Sequence, residues 1–159
     1  MSLALRTSSR LAAVQAHYEL DLVGGDAGEV AAAFMSKRWN QAATADSLAD
    51  ITSDTDTLDE AFFADLMEGT VRELAVIDDK IRGALTKPES YERLEPLVRA
   101  ILRVGTYELV NRIDVPVKVV ISEYIELARD FFEGTQVKLI NGVLDTLAHD
   151  IRAAEFPQT

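Results

Sequence analysis

Few side chains in this sequence have the type and spacing for chemistry. His17 and His149 are the only histidines, and cysteine is absent. A metal centre draws three or four ligands together, so two imidazoles on separate predicted helices read as surface or half-buried side chains. Glu123 and Glu126 sit one turn apart, like the carboxylates of a di-iron bundle, but no Glu-x-x-His accompanies them. Asp46, Asp50, Asp54 and Asp56 share a stretch with no basic residue. They lack the alternating ligands and fixed glycine of a calcium loop. There is no glycine-rich phosphate loop and no nucleophile elbow. Neither a catalytic, a cofactor nor a metal site is expected, and the chain reads as a non-enzyme.

Arg99 and Arg103 remain. Glu95 precedes Arg99 by one turn, the favourable order for an acid–base pair on a helix. One reading is structural: guanidinium groups bind helix ends or carboxylates, and the Arg103 stem lies along an apolar stripe. The other makes both arginines phosphate contacts. The structural reading is preferred because Arg103 falls beside that stripe.

The elements that would position these groups are all helical. Ser8 or Ser9 can cap a first helix whose stripe is Leu11, Val14, Tyr18 and Leu22, ended by Gly24-Gly25. Residues 1–6 are expected to fray. Asp26 can cap a second helix running to about Trp39. Residues 40–56 read as an acidic loop. Thr57-Leu58-Asp59-Glu60 has the form of a capping box. The helix after it carries Phe62, Phe63, Leu66 and Met67, with a bend near Glu73, and ends at Lys87-Pro88. Tyr91 to Leu94 is a short connection.

Glu95-Pro96 opens the next helix, where Gly105 in mid-helix calls for a close crossing. Asp114-Val115-Pro116 starts another helix, because proline suits a first turn. Its stripe runs from Val117 to Phe131. Gly134 supplies a left-handed stop and Thr135 a cap for the last helix, which carries Ile140, Val143, Leu144, Leu147 and Ile151. No segment alternates with period two over a useful length. The fold class is therefore all-α, with about seven helices, and the length suits one domain or two small packed halves. The halves fall at about 1–86 and 87–156.

Composition limits the partners. The 159 residues carry a formal net charge of −11, with 48% hydrophobic and 27% charged residues. That charge repels nucleic acid on average, so an RNA role needs a local basic patch or a basic partner. Charges interrupt every apolar run, and no secretory signal is evident, so no membrane role is expected. The lack of cysteine excludes disulfides and is compatible with a reducing compartment.

Five segments in register give the sequence a family likeness. They are Arg10-Leu-Ala-Ala-Val-Gln-Ala-His-Tyr18, Ile101-Leu-Arg-Val-Gly-Thr-Tyr-Glu-Leu109, Asp114-Val-Pro116, Glu123-Tyr-Ile-Glu-Leu-Ala128 and Lys138-Leu-Ile-Asn-Gly-Val-Leu-Asp145. In order and spacing the chain resembles the NusB family of bacterial transcription antitermination factors, over nearly its whole length. The first helix and the segment from Leu94 to Arg103 look like the alphaproteobacterial branch.

The resemblance implies two packed helical bundles and a cytoplasmic, non-catalytic RNA-binding role. It implies pairing with NusE, which is a small-subunit ribosomal protein, and recognition of boxA RNA from ribosomal RNA operons. NusA, NusG and RNA polymerase complete the assembly. Family members differ in self-association, which leaves a homodimer open.

Carried over residue by residue, the RNA contacts implied are Arg6, Arg10, Lys138 and Asn141, and the partner contact is Tyr18. The sequence departs from the family in having only Arg6 and Arg10 where an arginine-rich segment is common. It also has Leu139 where some members place an aromatic residue. Tyr18 also suits a core position with its hydroxyl at the rim. Asn141-Gly142 also suits helix packing.

Two rivals stand beside this reading. One is a NusB-like protein-binding module without RNA recognition. The other is the helper domain of a ribosomal RNA methyltransferase. No Rossmann-type region or catalytic cysteine precedes Thr159 to house that reaction.

Overall fold

The computed structural model describes residues 3–26, 28–32 and 58–156. Every regular element among them is helical. In order they are α1 (Leu3–Val23), a helical stretch over 28–32, α2 (Glu60–Arg72) and α3 (Leu74–Ala84). A 3-10 turn at Pro88–Arg93 leads to α4 (Pro96–Asn111), α5 (Val117–Arg129) and α6 (Thr135–Ile151), and a last 3-10 turn spans Ala153–Glu155. The all-α expectation holds.

Helix α4 is the axle. Val98, Ala100, Ile101, Leu102, Val104, Gly105, Thr106, Tyr107, Glu108 and Leu109 are all buried. It packs against α1, α2, α3, α5 and α6. A helix apolar around most of its circumference must sit inside others. Pro96 occupies its first turn, as expected. A Cβ on Gly105 would stand 3.2 Å from Leu144 and 3.4 Å from Tyr124, so the close crossing is real. Gly69 is a tighter contact that the pattern did not reveal: a Cβ there would overlap the Tyr107 ring.

Helix α1 differs from its expected form. It starts at Leu3, well before Ser8 and Ser9. Ser9 is buried mid-helix, donating to the Leu5 carbonyl at 2.8 Å and accepting from the Asp59 N–H at 3.0 Å. A serine with an i−4 carbonyl below it and a loop amide beside it does not need a helix end. The buried face is Ser9, Arg10, Ala12, Ala13, Val14, Ala16 and His17, whereas Leu22 is exposed. Of the expected stripe Val14 is buried and Leu11 and Tyr18 pack partly buried against the core, so Leu22 alone leaves it, and small alanines with one satisfied arginine widen the buried face. Gly24 and Gly25, both at positive φ, end the helix as expected.

Several helix ends match and others shift. Asp26 accepts from the Glu29 N–H at 3.0 Å, the cap expected of it. The extension towards Trp39, the acidic stretch 40–56 and Thr57 lie outside the described residues. Asp59 takes the cap of α2, accepting from the Phe62 N–H at 3.0 Å. Glu73 separates α2 from α3, where the bend was expected. The connection at Tyr91 is a 3-10 turn with Tyr91 buried. Pro116 sits at the N-cap of α5, one residue before the first turn. Gly134 has φ +59 and itself occupies the N-cap of α6, so Thr135 is the first helical residue instead of the cap. Helix α5 closes at Arg129, and Phe131 beyond it is exposed.

Candidate nucleic-acid and partner interface

Arg10 is the first candidate, and the structure places it inside the protein. It is 2% exposed, and Glu108 on α4 is fully buried. Arg10 Nε and NH2 donate to the two Glu108 carboxylate oxygens at 2.8 and 2.6 Å. Its NH1 donates to Glu123 of α5 at 2.8 Å. The Tyr124 hydroxyl donates to Glu108 at 2.8 Å. This fork-to-fork pairing satisfies the buried carboxylate. Burial works against the Arg10 charge, but Glu108 outweighs it and the arginine pKa is raised. Burial also pushes the Tyr124 hydroxyl pKa well up. With both edges engaged, Arg10 ties α1 to α4 and α5 and presents no guanidinium to solvent. The expected RNA contact at Arg10 gives way to this internal role.

Arg6 is half-buried and also turned inward. Its guanidinium lies 3.5 Å from Asp114 and 4.7 Å from the Phe62 ring centre. Arg10 and Arg112 approach the same ring at 5.1 and 5.0 Å. Phe62 is thus a hub for three cations, each also held by a carboxylate. Tyr18 is half-buried with its body against the core.

Arg99 and Arg103 follow the structural reading. Arg103 pairs with Asp78 at 2.9 Å and Asp21 at 3.3 Å, and donates to the Tyr91 hydroxyl at 3.0 Å. Arg99 bonds Asp21 at 2.9 Å and the Leu94 carbonyl at 2.8 Å. Glu95 is not its partner, because Asp21 from α1 reaches the guanidinium first. Burial opposes the Asp21 carboxylate charge, but both arginines outweigh it and hold its pKa low. Burial with Asp78 likewise pushes the Tyr91 hydroxyl up.

The histidines part ways. His149 is exposed and stacks on Phe156 with ring centres 3.7 Å apart. His17 is buried more deeply than expected, at 4% exposure. Among the described residues no three metal-ligating side chains converge.

Lys138 and Asn141 are exposed, one turn apart on α6. Asn141 lines an open groove of about 460 Å³ between α5 and α6, together with Lys118, Arg129 and Phe156. Lys118 and Arg129 are exposed. The Arg129 pairing to Glu126 is a surface ion pair, which costs little to release. Across α5 lies a second groove, between α1 and α5, lined by Thr7, Glu123, Glu126 and Asp130. Glu126 lines both. Helix α5 therefore divides an acidic groove, with three carboxylates against the buried Arg10, from one of mixed charge, where Glu126 and Asp145 stand beside Lys118 and Arg129. Sequence reasoning missed Lys118, Arg129 and Phe156. The available signal was periodicity: Lys118, Ser122, Glu126 and Arg129 recur at three and four along the polar face of α5.

Among the described residues no helix is long and apolar enough to cross a membrane. The NusB family model matches residues 7–149. The chain is 41% identical to transcription antitermination protein NusB of Agrobacterium fabrum, over 92% of this chain and 85% of that one. It is 42% identical to the protein of the same name from Caulobacter vibrioides, over 92% and 94%. Both are alphaproteobacterial proteins, in line with the branch expected. Among solved structures, T. maritima NusB superposes with a TM-score of 0.73 at 28% identity, covering 95% of this chain and 96% of that one. The helices that meet on α4, the segments in register and the family match across residues 7–149 agree, and the chain belongs to the NusB family.

Proposed function

We propose that this protein is a transcription antitermination factor that pairs with NusE and binds boxA RNA as part of a composite surface. The observation that carries the reading is the family match across residues 7–149. The α5–α6 groove supplies a physical means. Lys118 and Arg129 in its lining, with Lys138 exposed elsewhere on α6, offer cations to phosphate beside the carboxylates of Glu126 and Asp145, and phosphate contacts set the position and salt dependence of RNA binding. Asn141 offers an amide for a base edge. Phe156, braced by His149, offers a ring on which a base can stack. Tyr18 and the acidic α1–α5 groove suit a basic protein partner. The role is assembly, without a reaction of its own, in a cytoplasmic complex with NusA, NusG and RNA polymerase.

One observation favours a second reading, a protein-binding module without RNA recognition. Arg6 and Arg10, the only N-terminal arginines, are both held by internal partners. A boxA titration with and without NusE separates the two. Weak binding alone and tight binding with NusE supports the composite surface. Equal, tight binding by the lone protein rejects the dependence on NusE, and no binding in either case selects the second reading. Lys118→Ala with Arg129→Ala should lower boxA affinity of the pair several-fold and flatten its salt dependence, while leaving NusE capture intact.

A further inference from the structure

The start of α5 has no cap of its own. Pro116 occupies the N-cap and offers no side-chain acceptor, which would leave the Val117 N–H open, as the first amides of a helix are. The acceptor comes from the turn that follows α6. Glu155 Oε1 takes the Val117 N–H at 3.0 Å. The amide dipoles gathered at a helix start favour a carboxylate there. That bond, with help from Arg152, holds the Glu155 carboxyl below the usual range.

Arg152 completes the attachment. It is 6% exposed, and its Nε donates to Glu155. Its NH2 donates to the Val115 carbonyl at 2.6 Å and to the Ile113 carbonyl at 3.4 Å. One planar guanidinium therefore joins the end of α6 to the loop leading into α5 and turns Glu155 towards the helix start. The 3-10 turn Ala153–Glu155 is fixed from both sides.

What this turn fastens is the α5–α6 groove. Val117 adjoins Lys118 and Glu155 adjoins Phe156, and Lys118 and Phe156 both line the groove. Phe156 also stacks on His149, with ring centres 3.7 Å apart and planes 17° apart. One hydrogen bond, a single residue from each, thus sets the spacing of a cation on α5 and a ring on the chain leaving α6. Glu126 and Asp145 share the lining, so net charge alone does not draw RNA in, and the placement of ring and cation has to carry more of the binding.

We propose that Arg152 and Glu155 are positioning residues for this groove. They hold the Phe156 ring and the Lys118 ammonium as one site for a single nucleotide, with the base on the ring and its phosphate on the cation. Neither residue lines the groove itself. The role in RNA binding rests on the antitermination reading.

The test compares Glu155→Ala, Glu155→Gln, Phe156→Leu and the combined Glu155→Ala, Phe156→Leu variant, each in the full chain. Two quantities are measured: the proton shifts of the His149 ring, which feel the Phe156 ring current, and boxA affinity in the complex with NusE. Removing a negative charge would by itself strengthen RNA binding, so a fall isolates the positional effect. Glu155→Ala should weaken the His149 shift and lower affinity about threefold to tenfold, within the loss of one stacking platform, while Phe156→Leu should cost roughly tenfold. The combined variant should bind no more weakly than Phe156→Leu, since nothing is left to position. Glu155→Gln keeps an oxygen for the Val117 N–H and should bind at least as well as the native protein. Unchanged or tighter binding by Glu155→Ala, additive losses in the combined variant, or a His149 shift that Glu155→Ala does not move would each overturn the proposal. A native complex that fails to bind boxA is a different failure: it rejects the antitermination reading and takes the nucleotide site with it.

Discussion

Replacing Arg10 by methionine keeps the length of the side chain and removes the guanidinium. The change strands Glu108, a fully buried carboxylate on the central helix. Glu108 loses two charge-assisted hydrogen bonds and keeps only the Tyr124 hydroxyl. Breaking one side of a buried ion pair costs about 3–5 kcal/mol, mostly the penalty of the charge left behind. For a domain of this size each kcal/mol moves Tm by about 2–4 °C, so a fall of about 6–20 °C is expected. Glu108→Gln should be milder, because the amide oxygen still accepts from the arginine and from Tyr124. Combining Arg10→Met with Glu108→Leu should recover much of the single-variant loss, since apolar replacements of buried pairs are often near neutral. The assay is urea unfolding of the two single variants and the pair, with boxA affinity in the presence of NusE measured beside it. A cost below about 1 kcal/mol for Arg10→Met, with a loss of RNA affinity, would refute the internal role and return Arg10 to the RNA surface.

Three further outcomes follow from the packing and from His17. Burial lowers the His17 pKa from 6.5 to about 4, against hydrogen bonding at Leu66 and with help from Arg103. The unfolded chain then binds the extra proton, so stability present above pH 6.5 is lost as pH falls towards 4, by about 3 kcal/mol in all. His17→Leu should flatten that part of the profile, measured as urea midpoints against pH relative to the parent protein. Gly69→Ala drives a methyl into Tyr107 and should cost about 1–3 kcal/mol. Gly142→Ala, where an added Cβ meets nothing within 4 Å, should instead raise stability by about 0.5–1 kcal/mol. Thermal melts of the two variants check both signs together.

Much of the architecture was legible because it follows local rules. Periodicity located α2 to α6, Pro96 marked a first turn, and Gly24-Gly25 marked an end. Gly105 was legible because a glycine in mid-helix needs a reason, and Leu144 supplies it. What stayed hidden depends on contacts between distant segments. Tyr91 looked like a loop residue because nothing nearby in sequence announces that Asp78 and Arg103 will close over it. Asp21 took Arg99 from Glu95 for the same reason: helix spacing ranks neighbours on one helix and is blind to a carboxylate arriving from another.

The candidate interface shows that blindness at its most consequential. The family resemblance implied Arg10 as an RNA contact with Arg6, Lys138 and Asn141, and nothing local in the sequence marks Arg10 as buried. Its partners Glu108 and Glu123 are about a hundred residues away, on helices that also looked amphipathic. Once α1 lies across α4, the acids and the arginine cancel in the interior, and alanines join Val14 on the buried face of α1. Exposed cations lie instead at the α5–α6 groove, where Lys118 and Arg129 stand beside Asn141 and share the lining with Glu126 and Asp145. Charge is thus divided by burial. Arginine on α1 holds the helices together, whereas Lys118 and Arg129 on α5 and Lys138 on α6 stay at the surface, Arg129 paired only to the exposed Glu126. Because the net charge is −11, that small groove has to act close in, within a Debye length of about 8 Å at physiological salt. A basic partner at the neighbouring acidic groove would both relieve the repulsion and supply positive charge beside Lys118 and Arg129.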